Sequence, residues 1–78
     1  MLELSIFKTV EVIKENKYFE CTFVKKDNTI RTMKCIYNED KQNSQYLIVY
    51  DTENQGYRNV NLSTLLTLTI KNIIYKII

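Results

Sequence analysis

The sequence predicts a mainly β domain, a small five-stranded barrel preceded by an N-terminal segment that is helical or extended. Three observations lead there. One stretch, Lys25-Lys26-Asp27-Asn28-Thr29-Ile30-Arg31-Thr32-Met33-Lys34, reads as a strand end, a tight turn and the start of the next strand. Runs rich in β-branched and aromatic residues recur between polar turn residues. One helical turn, Leu62-Ser63-Thr64-Leu65, stands just before the last run of the barrel.

In chain order, Leu2 to Glu15 comes first. Leu2, Ile6, Val10 and Ile13, with Phe7 beside them, are spaced as on a helix, and Ser5 or the chain start can open it. The competing reading is a strand, Thr9-Val10-Glu11-Val12-Ile13, because Val10 and Val12 alternate.

The hairpin follows, from Tyr18 to Lys25 and from Thr29 to Tyr37. A three-residue loop, Lys26-Asp27-Asn28, puts Asn28 in the left-handed position that favours Gly and that Asn tolerates. Lys25 then faces Thr29, and the ladder runs Val24–Ile30, Phe23–Arg31, Thr22–Thr32, Cys21–Met33, Glu20–Lys34 and Phe19–Cys35. One face holds Phe19, Cys21, Phe23, Met33 and Cys35, apolar apart from Arg31. The other holds a Thr–Thr pair and a Glu–Lys pair, each contributing ~0.2–1 kcal/mol. A two-residue loop would slip the register by one and set Lys34 against Cys21.

Asn38 to Gln45 is a polar loop carrying the adjacent acids Glu39 and Asp40, which read as solvated. A third strand starts at Gln45 or Tyr46 and ends at Asp51. Thr52-Glu53-Asn54-Gln55-Gly56 is a turn, and Tyr57 to Asn61 is the fourth strand. Leu66 to Lys71 alternates Leu66, Leu68 and Ile70 against Thr67 and Thr69 as the fifth. Five short strands with a helical turn before the last describe an SH3-like barrel. One domain covers residues 1–78, with an N-terminal segment (1–16), the barrel (18–71) and an apolar tail (72–78). The tail's Ile73, Ile74, Ile77 and Ile78 pack back on the N-terminal segment or meet another copy of the chain, which makes them a candidate homo-oligomer interface.

Composition narrows function. Eleven basic and nine acidic residues give a net charge of +2, spread along the chain with no clustered stripe for nucleic acid. No apolar run is long enough to span a membrane, and Met1-Leu2-Glu3 lacks the basic start of a signal peptide. The expected location is the cytoplasm, with no membrane partner. Without any His, a general base near neutral pH would need a tuned carboxylate, Lys or Cys, and no nucleophile elbow, phosphate loop or metal-ligand spacing occurs. The expectation is therefore no enzyme, no cofactor and no metal. Cys21 and Cys35 lie diagonally on the buried face, as free thiols or within reach of a bond.

Phe23 to Arg31, then Tyr50-Asp51 and Gly56-Tyr57-Arg58-Asn59-Val60, resemble the small WYL-like proteins with an Sm-like or SH3-like barrel, often encoded by phages and prophages. Their pattern is an aromatic, two Lys, Asp-Gly-Thr, an aliphatic and Arg, then a strand ending in Asp, then Gly-Trp-Arg. The match runs from Phe23 to Leu65 and departs at Asn28, where the pattern has Gly, and at Tyr57, where it has Trp. The resemblance implies a barrel able to hold nucleic acid or nucleotide-like ligands. If the chain is phage-encoded, it would work in the host's cytoplasm and modulate host defence or regulation.

The candidate ligand site is a rim of Arg31 and Arg58 flanking Tyr50 and Tyr57, suited to a phosphate and a stacked base. Lys25 and Lys26 at the hairpin tip add phosphate contacts. The structural alternative pairs Arg58 with Asp51 and lets Arg31 reach solvent along its stem. Six Tyr favour a binding surface. The expected partner is a nucleotide or nucleic acid, with a host protein or a homo-oligomer as the alternatives.

Overall fold

In the computed structural model, which describes residues 2–39 and 46–78, the chain runs β1 (Leu2–Leu4), α1 (Ile6–Asn16), β2 (Tyr18–Val24), β3 (Ile30–Tyr37), β4 (Tyr46–Asp51) and β5 (Gly56–Asn61). A 3₁₀ turn (Leu62–Thr64), β6 (Leu65–Ile70) and β7 (Ile73–Ile77) complete it. Asp40, most of the predicted polar loop and the earlier start of the third strand at Gln45 lie outside the described residues.

The β2–β3 hairpin has the register that its turn chemistry dictates. Asn28 sits at φ 69°. The Lys25 N–H donates to Thr29 O at 2.8 Å and the Asn28 N–H to Lys25 O at 3.0 Å, so the loop has three residues. The ladder then pairs Val24 with Ile30 through Phe19 with Cys35, and extends to Tyr18–Ile36. Phe19, Cys21, Met33 and Cys35 are buried on one face. On the other, Thr22 and Thr67 hydroxyls hydrogen-bond at 2.6 Å and tie β2 to β6.

The strands form one mixed sheet in the order β1-β7-β6-β2-β3-β4-β5, so the expected count of five becomes seven. The two extra strands come from the segments read as an N-terminal helix or extension and as a tail. Leu2–Leu4 is too short to show a period. Ile73–Ile77 is apolar at every position but Lys76, so its sequence shows no alternation to mark it as a strand. β7 turns back from β6 through Lys71 and Asn72, at φ 50° and 67°, and pairs antiparallel with it. β1 pairs parallel to β7, Leu2 with Tyr75 and Leu4 with Ile77. The apolar tail thus packs on the N-terminal segment. Ile77 and Tyr75 lean on the core, while Ile73, Ile74 and Ile78 stay 45%, 49% and 64% exposed.

Of the two readings of Leu2 to Glu15, the helix holds from Ile6 and the strand over Thr9–Ile13 does not. A strand precedes the helix, and the helix occupies the segment proposed as strand Thr9–Ile13. Ser5 caps it, its hydroxyl accepting the Lys8 N–H at 3.2 Å. Lys17, at φ 68°, ends it by donating its N–H to Ile13 O. Thr9 and Ile13 are buried, and the Thr9 hydroxyl is satisfied by Ser5 O at 2.8 Å.

The core takes Ile13 from α1 and side chains from β2 to β6, centred on Val49, Val60 and Leu68. Each such fully buried aliphatic contributes about 1.5–3 kcal/mol. Cys21 and Cys35 are free, buried thiols. The adjoining Cys21 thiol and then burial push the Cys35 thiol far above its usual range. Among the described residues no helix is long and apolar enough to cross a membrane.

Candidate functional site

Turn chemistry at the hairpin tip decides which charges are available. Asp27 accepts the Thr29 hydroxyl at 2.6 Å and the Thr29 N–H at 3.1 Å through one oxygen. Those bonds hold its carboxyl below the usual range, with the Lys25 charge adding to them. The Asp27 oxygen is thus turned inward to its own loop. Lys25 and Lys26 stand exposed, in no ion pair among the described residues.

Both lysines border a groove of about 720 Å³ where the sheet curls round on itself. Phe23, Val24 and Asn28 continue the wall on the hairpin side. Tyr46 of β4, Asn59 and Asn61 of β5, and Thr64 form the other. The link between the walls is short. Asn61 caps the 3₁₀ turn, its side-chain oxygen accepting the Ser63 N–H at 3.0 Å and hydroxyl at 2.7 Å, and Leu65 then pairs with Phe23. That link carries the end of β5 to the end of β2. Among the described residues, the lining side chains include two ammonium groups and three amides but no carboxylate.

Arg31 and Arg58 are placed differently from the expectation. Asp51 is not the partner of Arg58: Arg31 Nη2 donates to Asp51 Oδ2 at 2.9 Å. Asp51 is 1% exposed and closes the β4–β5 turn, accepting from the Glu53 and Asn54 N–H groups and from Asn54 Nδ2. The Asn54 side chain, then the turn N–H groups and the Arg31 charge, hold its carboxyl below the usual range against burial. Arg58 faces Val49 across the ladder, two positions from Gly56, which faces Asp51. Its guanidinium lies over Gly56, 3.0 Å from where a Cβ would stand, and Nη1 donates to Tyr57 O at 2.9 Å. Arg31, on β3, thus takes the place beside Asp51, and Arg58 bonds to the Tyr57 carbonyl instead.

Tyr50 and Tyr57 form a cross-strand pair with ring centroids 5.3 Å apart at 79°. Side chains alternate across a strand, so Tyr57 points outward where Arg58 points inward. Asn38 Nδ2 donates to Tyr57 Oη at 3.2 Å. The rim therefore divides in two. The Tyr pair lies on the outer face, both Arg residues start from the inner face, and Lys25 and Lys26 alone share the groove.

The groove residues not expected at a ligand site are Phe23, Val24 and Asn28 on one wall and Tyr46, Asn59, Asn61 and Thr64 on the other. Local pattern marks Asn28 only as a turn residue, and the facing wall comes opposite the hairpin through the 3₁₀ turn. Of the acids read as solvated, Glu39 pairs with Lys17, whose ammonium also lies 5.3 Å from the Tyr37 ring centroid. Lys17 holds the Glu39 carboxyl below its usual range. Among the described residues no cluster of His, Cys, Asp or Glu could hold a metal ion.

A family model described as WYL_2, Sm-like SH3 beta-barrel fold, matches residues 13–66. No curated protein and no solved structure matches the chain.

Proposed function

The chain belongs to the WYL_2 family, with its Sm-like SH3 β-barrel fold, and from that premise we propose a non-enzymatic binding domain that captures an anionic ligand in the groove beside the hairpin tip. The observation that carries this reading is the pair Lys25 and Lys26 on a groove whose lining, among the described residues, has no carboxylate. The ammonium groups supply charge, the Asn28, Asn59 and Asn61 amides supply hydrogen bonds, and Phe23 and Val24 supply an apolar wall. A nucleotide or nucleic acid brings the anion as phosphate, and a segment of a partner protein brings it as carboxylate. Arg31 takes no first part in this reading because its charge is matched by Asp51.

Fluorescence anisotropy with two labelled probes, a ten-nucleotide thymidine strand and an acidic peptide, tests the reading. Binding of either should weaken with salt. For two phosphate contacts on a single strand the log–log slope is about −1.4. Lys25→Ala with Lys26→Ala should remove most of that slope. If neither probe is held at low salt, or if the double variant binds as the parent does, the reading is wrong.

A further inference from the structure

We propose that the anion held in this groove is an acidic polypeptide segment, bound in extended form as an added strand along β5. The inference rests on the groove being an anion site, and it names the form of the ligand.

The backbone argument comes first. β5 is the last strand on its side of the sheet, with β4 as its one strand neighbour among the described residues. The hairpin tip stands across the groove from it and forms no ladder with it. A terminal strand presents an N–H donor and a C=O acceptor from every second residue; an extended polypeptide answers with both, whereas a sugar–phosphate chain offers acceptors alone. Main-chain bonds then supply affinity, and side chains on alternate faces supply selectivity.

The charges agree. Arg58 points inward from this edge strand, exposed, with no carboxylate partner among the described residues. An inward charge on an edge strand opposes pairing with an apolar strand. It favours one that carries acids, and Lys25 and Lys26 lie on the facing wall. Such a strand would run between cations on both sides, with Phe23 and Val24 beneath its apolar side chains. Four side chains suited to a nucleic acid, Tyr50, Tyr57, Arg31 and Arg58, are absent from the groove lining. Tyr50 and Tyr57 pack edge-on against each other on the outer face, and Arg31 is held by Asp51.

The test uses the ¹⁵N-labelled full chain and a blocked heptapeptide of alternating Thr and Glu. Two further peptides are N-methylated, one on the odd amides and one on the even, together with the thymidine strand. The plain peptide should shift the backbone amides of Arg58 to Asn61. One methylated peptide should bind about tenfold more weakly or worse and the other should bind normally, because one edge of an added strand faces β5. Lys25→Glu with Lys26→Glu should weaken the plain peptide by about tenfold or more while the remaining spectrum stays folded. Equal binding by all three peptides would overturn strand addition. Binding of the thymidine strand alone would overturn the inference and leave the anion site standing, and binding of neither would overturn both.

Discussion

Arg31 and Asp51 lie on different strands, twenty positions apart in the chain, and their side chains meet at 2.9 Å with the carboxylate almost wholly buried. This contact ties the hairpin tip to the β4–β5 turn. Both ends of it therefore carry stability that can be measured.

Asp51→Ala should lower the unfolding free energy by about 2–4 kcal/mol, since it strips partners from two turn N–H groups, the Asn54 amide and Arg31. Arg31→Ala should cost less, about 1–2 kcal/mol, because its side chain is 31% exposed and Asp51 keeps three hydrogen bonds. Urea unfolding of both variants and the double variant checks the order. A larger loss for Arg31→Ala would contradict the assignment of Asp51 as the centre of the network.

Acid should act through the same carboxylate. The folded protein holds Asp51 below its usual range, so its contribution is complete above the unfolded value of about 3.9 and is lost as pH falls through the folded value. Asp27 and Glu39 shift the same way at the surface, where solvent screening leaves them a small share. Stability measured by urea unfolding should stay level on acidification to about pH 4 and decline below it. Asp51→Asn should flatten most of that decline.

At the hairpin turn, Asn28→Gly should stabilise by up to about 1 kcal/mol and Asn28→Ala should destabilise by about 1 kcal/mol, because φ is 69° there. Thermal unfolding of the two variants distinguishes them by sign alone.

Gly56 raises a different question, since its φ is not positive. An added Cβ would stand 3.0 Å from the Arg58 guanidinium, the free end of a flexible side chain. Gly56→Ala should therefore change stability by less than about 0.5 kcal/mol while moving the Arg58 Nε–Hε resonance. A large loss of stability with that resonance unmoved would show that the backbone, not the side chain, requires Gly.

The two thiols should be inert in the folded state, being buried, with the Cys35 thiol pushed far above its usual range. Labelling by a thiol reagent should track the rate or population of global unfolding across a urea series. Fast labelling of native protein would contradict their placement in the core.

The hairpin could be read from sequence because its information is local: Asp27 and Asn28 set the loop, and the loop sets every pair as far as Phe19–Cys35. The β1–β7 ladder could not be. It joins the two ends of the domain through a three-residue strand with no period of its own. Arg58 was the natural partner for Asp51 because the two share a hairpin. Arg58 and Asp51 do share the inner face, but Arg31 reaches Asp51 from β3 and the Arg58 guanidinium turns to the Tyr57 carbonyl. The groove was half legible, since Lys25 and Lys26 announce themselves and Asn59 and Asn61 need the 3₁₀ turn to reach them.

The parallel pairing of β1 with β7 also determines how the domain bears force. A pull on the backbone ahead of Leu2 and beyond Ile78 draws the two strands past each other along their length. Every rung of that ladder, with the Ile78 N–H bond to Leu4 O, is then loaded together rather than opened one at a time. Tension between the two ends would be met as shear at this seam before it reached the hairpin, the groove or the core.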